Sequence, residues 1–158
     1  MGWIVYNLSY LIQEPAYLCR VDGLPFESGG ICTKENICAG DPHIVEYKID
    51  YTSQDSLHNW WQKLNLICEP EWKYNSLGSA FFLGWAATLL WVPMLSDKRN
   101  RKKFFVGTML GVFLTLTIMI FTTSLDLMLF LIFMQGALSS GRINIGYLYL
   151  MELNPKEN

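Results

Sequence analysis

Charged side chains are absent from two long stretches of this 158-residue chain. No Asp, Glu, Lys, Arg or His occurs between Tyr74 and Ser96, or between Phe104 and Leu125. Each stretch is longer than the roughly 20 apolar residues that a helix needs to cross the core of a bilayer. Such runs argue against an ordinary soluble protein and predict an integral membrane protein.

Signatures of soluble enzyme chemistry are also missing. The chain has no G-x-x-x-x-G-K-[ST] phosphate-binding loop, which argues against an intrinsic nucleotide-driven motor. Neither His43 nor His58 has a serine or cysteine nucleophile motif around it. We therefore expect no enzymatic activity and no cofactor.

The apolar opening of the chain, residues 1–18, lacks the basic start and the small-residue cleavage site of a signal peptide. It is also too short to span a bilayer unaided, and it reaches Pro15 near its end. We interpret it as the outer end of a first transmembrane helix.

Charge is distributed unevenly along the chain. Five of the seven residues 97–103 are Lys or Arg, whereas residues 19–73 hold nine of the fourteen acidic residues. A short basic loop between two spans marks the cytoplasmic side of a membrane protein. We therefore predict that residues 97–103 are cytoplasmic and that residues 19–73 are extracytoplasmic. Between two spans the basic run indicates topology or contact with anionic lipid, so no nucleic acid partner is expected.

All the cysteines, Cys19, Cys32, Cys38 and Cys68, fall within the predicted extracytoplasmic loop. An even number confined to one such loop predicts two disulfides. Three pairings are possible, and the sequence does not choose among them. The alternatives are four free thiols or a metal site, but the paired C-x-x-C spacing of zinc sites is absent, so no metal is expected.

The remaining segments complete a helical membrane topology. We predict full spans at residues 74–96, 104–123 and 127–151, an outer turn at 124–126 and a cytoplasmic tail at 152–158. The expected fold is an all-α membrane protein with three full transmembrane helices, a partial first one and a disulfide-containing extracytoplasmic loop. We expect a multi-pass protein of the plasma membrane.

Two shorter patterns lie within this topology. Residues 56–66 place Leu57, Trp60, Trp61 and Leu64 at helical spacing, which predicts a short amphipathic helix. Gly107 and Gly111 form a G-x-x-x-G pair, which fits either dimerisation or packing within one bundle.

Arg142 is the most unusual residue within a predicted span. It lies ten residues before Glu152, which is about 15 Å along a helix and near the middle of the bilayer. An arginine there has to face a bundle interior or a wet cavity. It is interpreted either as a substrate contact or as a structural clamp between helices. Gln135, seven positions earlier, shares its face, and Asn144 points to a different face.

The basic loop resembles a known motif. Asp97-Lys98-Arg99-Asn100-Arg101-Lys102 is similar to the D-R-x-G-R-[RK] loop between the second and third spans of the major facilitator superfamily. The match keeps Asp97, Arg101 and Lys102, and departs from the motif at Lys98 and Asn100. The resemblance implies that the three matching residues form part of a gate.

A second set of residues resembles the organic cation/anion transporter-like branch of that superfamily. The segment from Trp60 to Trp72, with Leu64-Asn65-Leu66-Ile67-Cys68 inside it, is similar to the end of that branch's long Cys-rich outer loop. Gln135-Gly136 and the later Glu152 are similar to its fourth span. The resemblance covers the N-terminal part of the family fold. It implies transport of small organic solutes by alternating access. From their places within the predicted span, we expect Arg142 and Gln135 to lie on the substrate pathway.

Two functional hypotheses follow. In the first, the chain is a fragment or truncated form of a transporter for organic ions or other small solutes, and its partners are the lipid bilayer, the solute and the other transporter half. In the second, it is a transporter-derived accessory or structural membrane subunit without transport activity, and it assembles with other membrane subunits. A receptor-like ectodomain on a membrane anchor is a weaker third option, because four spans exceed what an anchor needs.

Overall fold

A computed structural model of the protein describes residues 3–21, 31–40, 44–54, 56–98 and 101–153. The chain divides into two compact units, one of residues 2–74 and one of residues 75–158. We call them the N-terminal unit and the C-terminal unit and describe each by itself.

The N-terminal unit contains helices and a small antiparallel sheet. Its elements are α1 (Trp3–Leu11), β1 (Tyr17–Val21), β2 (Ile31–Cys32), α2 (Lys34–Cys38), β3 (Ile44–Ile49), α3 (Trp60–Lys63) and a 3₁₀ turn (Leu66–Cys68). The strand order is β2-β1-β3, so β1 is central and antiparallel to both neighbours.

The sheet corrects the prediction of an all-α fold. In β1 the side chains of Tyr17 and Cys19 are buried, and the residues between and after them, Leu18 and Arg20, are less so. This alternation is the period of a strand with one face on a core. Composition alone had assigned these residues to a loop, because the strands are too short for a strong periodic signal.

The first helix is shorter than predicted. It ends at Leu11, and Tyr17 already begins β1, so residues 1–18 are not helical to their end. Pro15 cannot continue a helix, since it has no backbone N–H. The side-chain amide of Asn59 donates to the carbonyl oxygens of Tyr10 (3.0 Å) and Gln13 (2.8 Å) and so satisfies acceptors at this helix end.

The predicted amphipathic helix at residues 56–66 is mostly not formed. Only Trp60–Lys63 is α-helical, capped by the Asn59 side chain, which accepts from the backbone N–H of Trp61 at 3.1 Å. Asn65 then takes a left-handed conformation with φ of 51°, and this ends the helix. Trp61, Leu64 and Leu66 are buried, so the apolar spacing belongs to the core of this unit.

Two disulfides join the elements of the N-terminal unit, as predicted. Cys19 pairs with Cys32 and links β1 to β2, with 5.9 Å between the Cα atoms. Cys38 pairs with Cys68 and links α2 to the 3₁₀ turn, with a Cα separation of 5.5 Å. The pairing that the sequence left open is thus 19–32 and 38–68.

The C-terminal unit is helical. Its elements are α4 (Glu71–Leu89, whose first turn belongs to the N-terminal unit), α5 (Trp91–Lys98), α6 (Arg101–Phe121) and α7 (Leu125–Leu153). The predicted single helix at 74–96 is divided at Leu90, because Pro93 has no N–H to donate back into α4 and is tolerated only in the first turn of a new helix. The predicted loop 97–103 is shorter than expected, since α5 reaches Lys98 and Arg101 already begins α6.

Two of the described helices are long and apolar enough to span a membrane. They are α6 and the segment Leu125–Leu148 of α7. The outer turn predicted at 124–126 lies two residues earlier, since residues 122–124 separate these helices. The third full span remains a prediction.

Small residues bring α7 against both α4 and α6. A Cβ at Gly136 would overlap the backbone of Phe81 in α4, and one at Gly141 would press on the side chain of Thr108 in α6. Among the described residues, only one glycine of the G-x-x-x-G pair in α6 packs against another helix. Gly111 packs on Leu138 of α7, whereas Gly107 has nothing described within 4 Å of a built Cβ.

Candidate functional site

A cluster of polar side chains lies inside the C-terminal unit, between α6 and α7. Gln135 is 3% exposed, and its Oε1 accepts a hydrogen bond of 2.6 Å from Thr115 Oγ1 of α6. The Ser139 hydroxyl, one turn further along α7, donates to the Gln135 carbonyl oxygen at 2.5 Å. In a setting without water, the bond between Thr115 and Gln135 holds α6 and α7 together, because an unpaired polar group there would be costly.

The same helix carries more polar side chains towards its C-terminal half. Ser140 is fully buried, and its Oγ accepts from Asn144 Nδ2 at 3.2 Å. We call Gln135, Ser139, Ser140, Arg142 and Asn144 the polar segment of α7. It occupies about ten residues, or some 15 Å of helix.

Arg142 is the charged member of the polar segment. Its side chain is half-buried, and it has no hydrogen-bond or ion-pair partner among the residues that the structure describes. It lies about 10 Å along α7 from Gln135, so the predicted pair shares a helix face without contact. The arrangement leaves the guanidinium available to a group from outside these helices.

A cavity of about 410 Å³ opens beside α7. It is lined by Leu89, Ile143, Asn144, Tyr147 and Leu148. Asn144 is the one residue of this lining with an amide side chain. Neither Gln135 nor Arg142 lines the cavity. The sequence had placed Asn144 on a different face from Arg142, but it gave no sign that this face meets Leu89 of α4.

The predicted gating residues lie where α5 ends and α6 begins. Asp97 is in the last turn of α5, and its side chain is outside the described part of the structure. Arg101 is half-buried and Lys102 is exposed, both in the first turn of α6. Positive charge is unfavourable at a helix N-terminus because of the helix dipole. A nearby anionic group would therefore stabilise Arg101 and Lys102 in these positions.

A separate charged cluster in the N-terminal unit is centred on Lys34, which the sequence had not singled out. Its Nζ contacts Glu71 Oε1 at 2.5 Å, Tyr74 Oη at 3.3 Å and Glu14 Oε2 at 3.7 Å. The ammonium also lies 5.9 Å and 5.8 Å from the ring centres of Trp61 and Tyr74, within cation–π range.

This environment fixes the charge state of Lys34. The hydrogen bond to Glu71 raises the lysine pKa well above its ordinary value of 10.5, against the opposing effect of burial. The same bond lowers the pKa of the Glu71 carboxyl. Lys34 is therefore a permanent positive charge that clamps α2 to the start of α4, rather than a base or a nucleophile.

Two buried aromatic residues next to the Lys34 cluster, Tyr17 and Trp61, are hydrogen-bonded to each other. Trp61 Nε1 donates to Tyr17 Oη at 2.6 Å, and burial is the main cause that raises the pKa of Tyr17. Within the described ranges, no three His, Cys, Asp or Glu side chains come together as metal ligands. The Lys34 cluster thus has the form of a structural clamp.

Comparison with known proteins identifies the C-terminal unit. The model of the Major Facilitator Superfamily matches residues 70–158, which are 89 of the 158 residues and include all of α4 to α7. No curated protein and no solved structure gave a match. The match covers the two candidate membrane spans, the basic residues at the start of α6 and the polar segment of α7. The chain therefore belongs to the Major Facilitator Superfamily, whose members are membrane transporters.

Proposed function

We propose that these helices form the N-terminal part of a plasma-membrane transporter for organic ions or other small solutes. Family membership over residues 70–158 carries the proposal. The resemblance of the segment from Trp60 to Trp72 to the organic cation/anion transporter-like branch supports the substrate class.

In this proposal the polar segment of α7 faces the substrate pathway. Arg142 is its only fixed charge and is not neutralised by a described residue, so it is the natural contact for an anionic group of a solute or of a second helix. Gln135 has its Oε1 occupied by Thr115, so its part is to fix the position of α7 against α6. Asp97, Arg101 and Lys102 form the gate at the cytoplasmic side.

Transport in this superfamily needs two six-helix halves that rock around a site at the membrane midplane. We therefore expect the chain alone, purified and reconstituted into liposomes, to show no saturable uptake of organic cations or anions. Joining it to the further spans of a superfamily transporter should give saturable uptake that Arg142→Ala abolishes and Arg142→Lys reduces less.

A matched variant separates a role in the pathway from a role in folding. Leu150→Ala changes an exposed residue of α7 that does not line the cavity, and it should leave uptake near the unchanged level. Saturable uptake by the chain alone, or equal uptake by the joined Arg142→Ala and unchanged proteins, would overturn the proposal.

A second candidate function is that of an accessory membrane subunit without transport. One observation favours it: Gln135, Ser139 and Ser140 are bonded within the chain, as in a scaffold that binds no solute. Absence of uptake in the joined protein, together with stoichiometric co-purification of one membrane partner, would support this candidate over the first.

A further inference from the structure

Another cavity opens in the N-terminal unit, beside the Lys34 cluster. It has a volume of about 760 Å³ and is lined by two short segments, residues 13–17 and residues 32–35. The first segment leads from α1 into β1, and the second leads from β2 into α2. Pockets that bind small molecules commonly have volumes of about 300–1,000 Å³, so this cavity has room for a small organic ligand.

The charged residues of this lining are Glu14, Lys34 and Glu35. The Lys34 ammonium bonds to Glu71, outside the lining, at 2.5 Å, whereas the Glu14 carboxylate lies 3.7 Å from it, beyond hydrogen-bond distance. Glu35 is exposed and has no ion-pair partner among the described residues. The three carboxylates of Glu14, Glu35 and Glu71 thus face the single positive charge of Lys34, so the lining favours a cation over an anion.

Tyr17 brings a buried hydroxyl group to the same lining. The residue is 3% exposed, and its Oη accepts a hydrogen bond from Trp61 Nε1 at 2.6 Å. A phenol also has a proton to donate, and none of the residues that the structure describes accepts it. Burial raises the pKa of Tyr17, so the hydroxyl keeps this proton at neutral pH. A buried donor without an acceptor is costly, and a ligand with an acceptor oxygen would remove that cost.

The sheet holds the two segments of the lining side by side. Tyr17 and Cys32 are opposite each other in the register of β1 and β2, and the Cys19–Cys32 disulfide joins the same strands. The lining also has apolar surface, since Pro15 and Ala16 stand between Glu14 and Tyr17 in the chain. The cavity is therefore preformed, which lowers the entropic cost of binding, and it can take up the hydrocarbon part of a ligand.

We propose that this cavity is a binding site for a small organic ammonium ion that also carries an acceptor oxygen. The carboxylates of Glu14 and Glu35 bind the ammonium group, and the acceptor oxygen takes the proton of Tyr17. Hydrogen bonds between charged groups are about twice as strong as neutral ones, so the ammonium group supplies most of the affinity. The inference concerns the N-terminal unit alone and does not depend on the proposed transport activity.

Three probe molecules of nearly equal shape test the ligand class on the unchanged full chain in lipid nanodiscs. They are phenoxyethylammonium, phenoxyethanol, which lacks the charge, and phenylpropylammonium, in which a methylene group replaces the ether oxygen. Equilibrium dialysis measures their binding, and empty nanodiscs give the uptake into lipid that is subtracted.

We expect saturable binding of phenoxyethylammonium. The alcohol should bind about tenfold more weakly or worse, because it makes no charged hydrogen bond. Phenylpropylammonium should bind about two- to tenfold more weakly, because it leaves the Tyr17 proton unpaired. Absence of saturable phenoxyethylammonium binding, or equal binding of the alcohol, would overturn the proposal.

Glu35→Gln tests the carboxylate, because Glu35 has no described ion pair whose loss would disturb the fold. It should weaken the binding of phenoxyethylammonium by about tenfold and leave the binding of phenoxyethanol unchanged. Glu69→Gln is the matched control, since Glu69 belongs to the same unit, pairs with Lys73 and does not line the cavity. Unchanged binding in Glu35→Gln, or an equal loss in Glu69→Gln, would contradict the assigned site.

Tyr17→Phe tests the contact to the acceptor oxygen. In this variant the two ammonium probes should bind equally, because the ether oxygen no longer meets a donor, whereas a merely structural role of Tyr17 would keep their ratio. Peptide mass spectrometry without reduction verifies in each variant that the pairs Cys19–Cys32 and Cys38–Cys68 have formed and that the unit has folded. A ratio that persists in folded Tyr17→Phe, or equal binding of both ammonium probes to the unchanged chain, would overturn the acceptor contact.

Discussion

Gly84 of α4 and Gly136 of α7 lie against each other's helix. A Cβ built at Gly84 would overlap the carbonyl of Phe133, and one at Gly136 would overlap the carbonyl of Phe81. Beside this contact Thr88 Oγ1 lies 3.2 Å from the carbonyl oxygen of Ala137, so a hydrogen bond joins the same helices one turn later. The absence of two side chains is what lets the helices approach so closely.

Alanine at either glycine should therefore destabilise the C-terminal unit. We expect Gly84→Ala or Gly136→Ala to lower the free energy of unfolding by about 1–3 kcal/mol, because the added methyl group meets backbone that cannot move aside. Thermal unfolding of the purified protein in detergent micelles measures the effect. Gly107→Ala is the matched control, since its Cβ meets open space and alanine favours a helix. Equal losses at all three positions would contradict the assignment of the contact.

Part of this bundle could be predicted from the sequence. The uncharged run of residues 104–125 predicts α6, and the run of residues 74–96 predicts the helical segment of α4 and α5, although not its division at Leu90. Gly84 and Gly136 are small residues that allow close helix contacts, but the sequence does not show that they meet. Such partners depend on the rotation of both helices, which a sequence does not state.

The Lys34 cluster should give the N-terminal unit a stability maximum at intermediate pH. Glu71 has a lowered pKa, so its contribution is present above its ordinary value of 4.5 and is lost as the pH falls through its folded value. Lys34 has a raised pKa, so its contribution is present below 10.5 and is lost as the pH rises through its folded value. The clamp is thus intact between pH 4.5 and 10.5.

Hydrogen exchange of the α2 amides measures this clamp. Lys34→Met should speed their exchange at neutral pH and remove the loss of protection on acidification below pH 4.5. Lys73→Met is the control, because its pair with Glu69 is an i,i+4 contact at the surface, worth only about 0.3–0.5 kcal/mol. Unchanged α2 exchange in Lys34→Met would show that the Cys38–Cys68 disulfide alone holds this helix.

The bond between Thr115 and Gln135 should couple α6 and α7. Thr115→Val and Gln135→Leu are each expected to cost about 0.6–1.7 kcal/mol, the range measured for hydrogen bonds between membrane helices. The double variant should cost less than the sum, because neither helix then holds an unpaired polar group. A double-mutant cycle on unfolding in micelles measures the coupling. Thr117→Val is the control, since its hydroxyl bonds only within α6, to Phe113 O. Strict additivity would contradict the bond.

The candidate site shows where sequence reasoning stops. Arg142 and Gln135 stand out because polar residues are rare in such spans. Thr115 does not, since threonine is common there and usually bonds to its own helix. The spacing of Asn144 predicts only that it lies on a different face of α7 from Arg142, and the packing of Leu89 shows that a cavity lies beside it. Lys34 was missed because its partners Glu14, Glu71 and Tyr74 are distant in sequence.

The basic residues at the start of α6 predict the orientation of the chain in the membrane. Short basic connections are retained on the cytoplasmic side, so Lys103 should face the cytoplasm and Tyr51 of the N-terminal unit should face outward. Both side chains are exposed, and among the described residues no cysteine is free, so single cysteines at these positions form a matched pair with little background. We expect a membrane-impermeant maleimide to label Tyr51→Cys in intact cells and to label Lys103→Cys only after the membrane is permeabilised. Labelling of Lys103→Cys alone in intact cells would invert the topology, and it would place the proposed gate on the opposite side of the membrane from the one assigned to it.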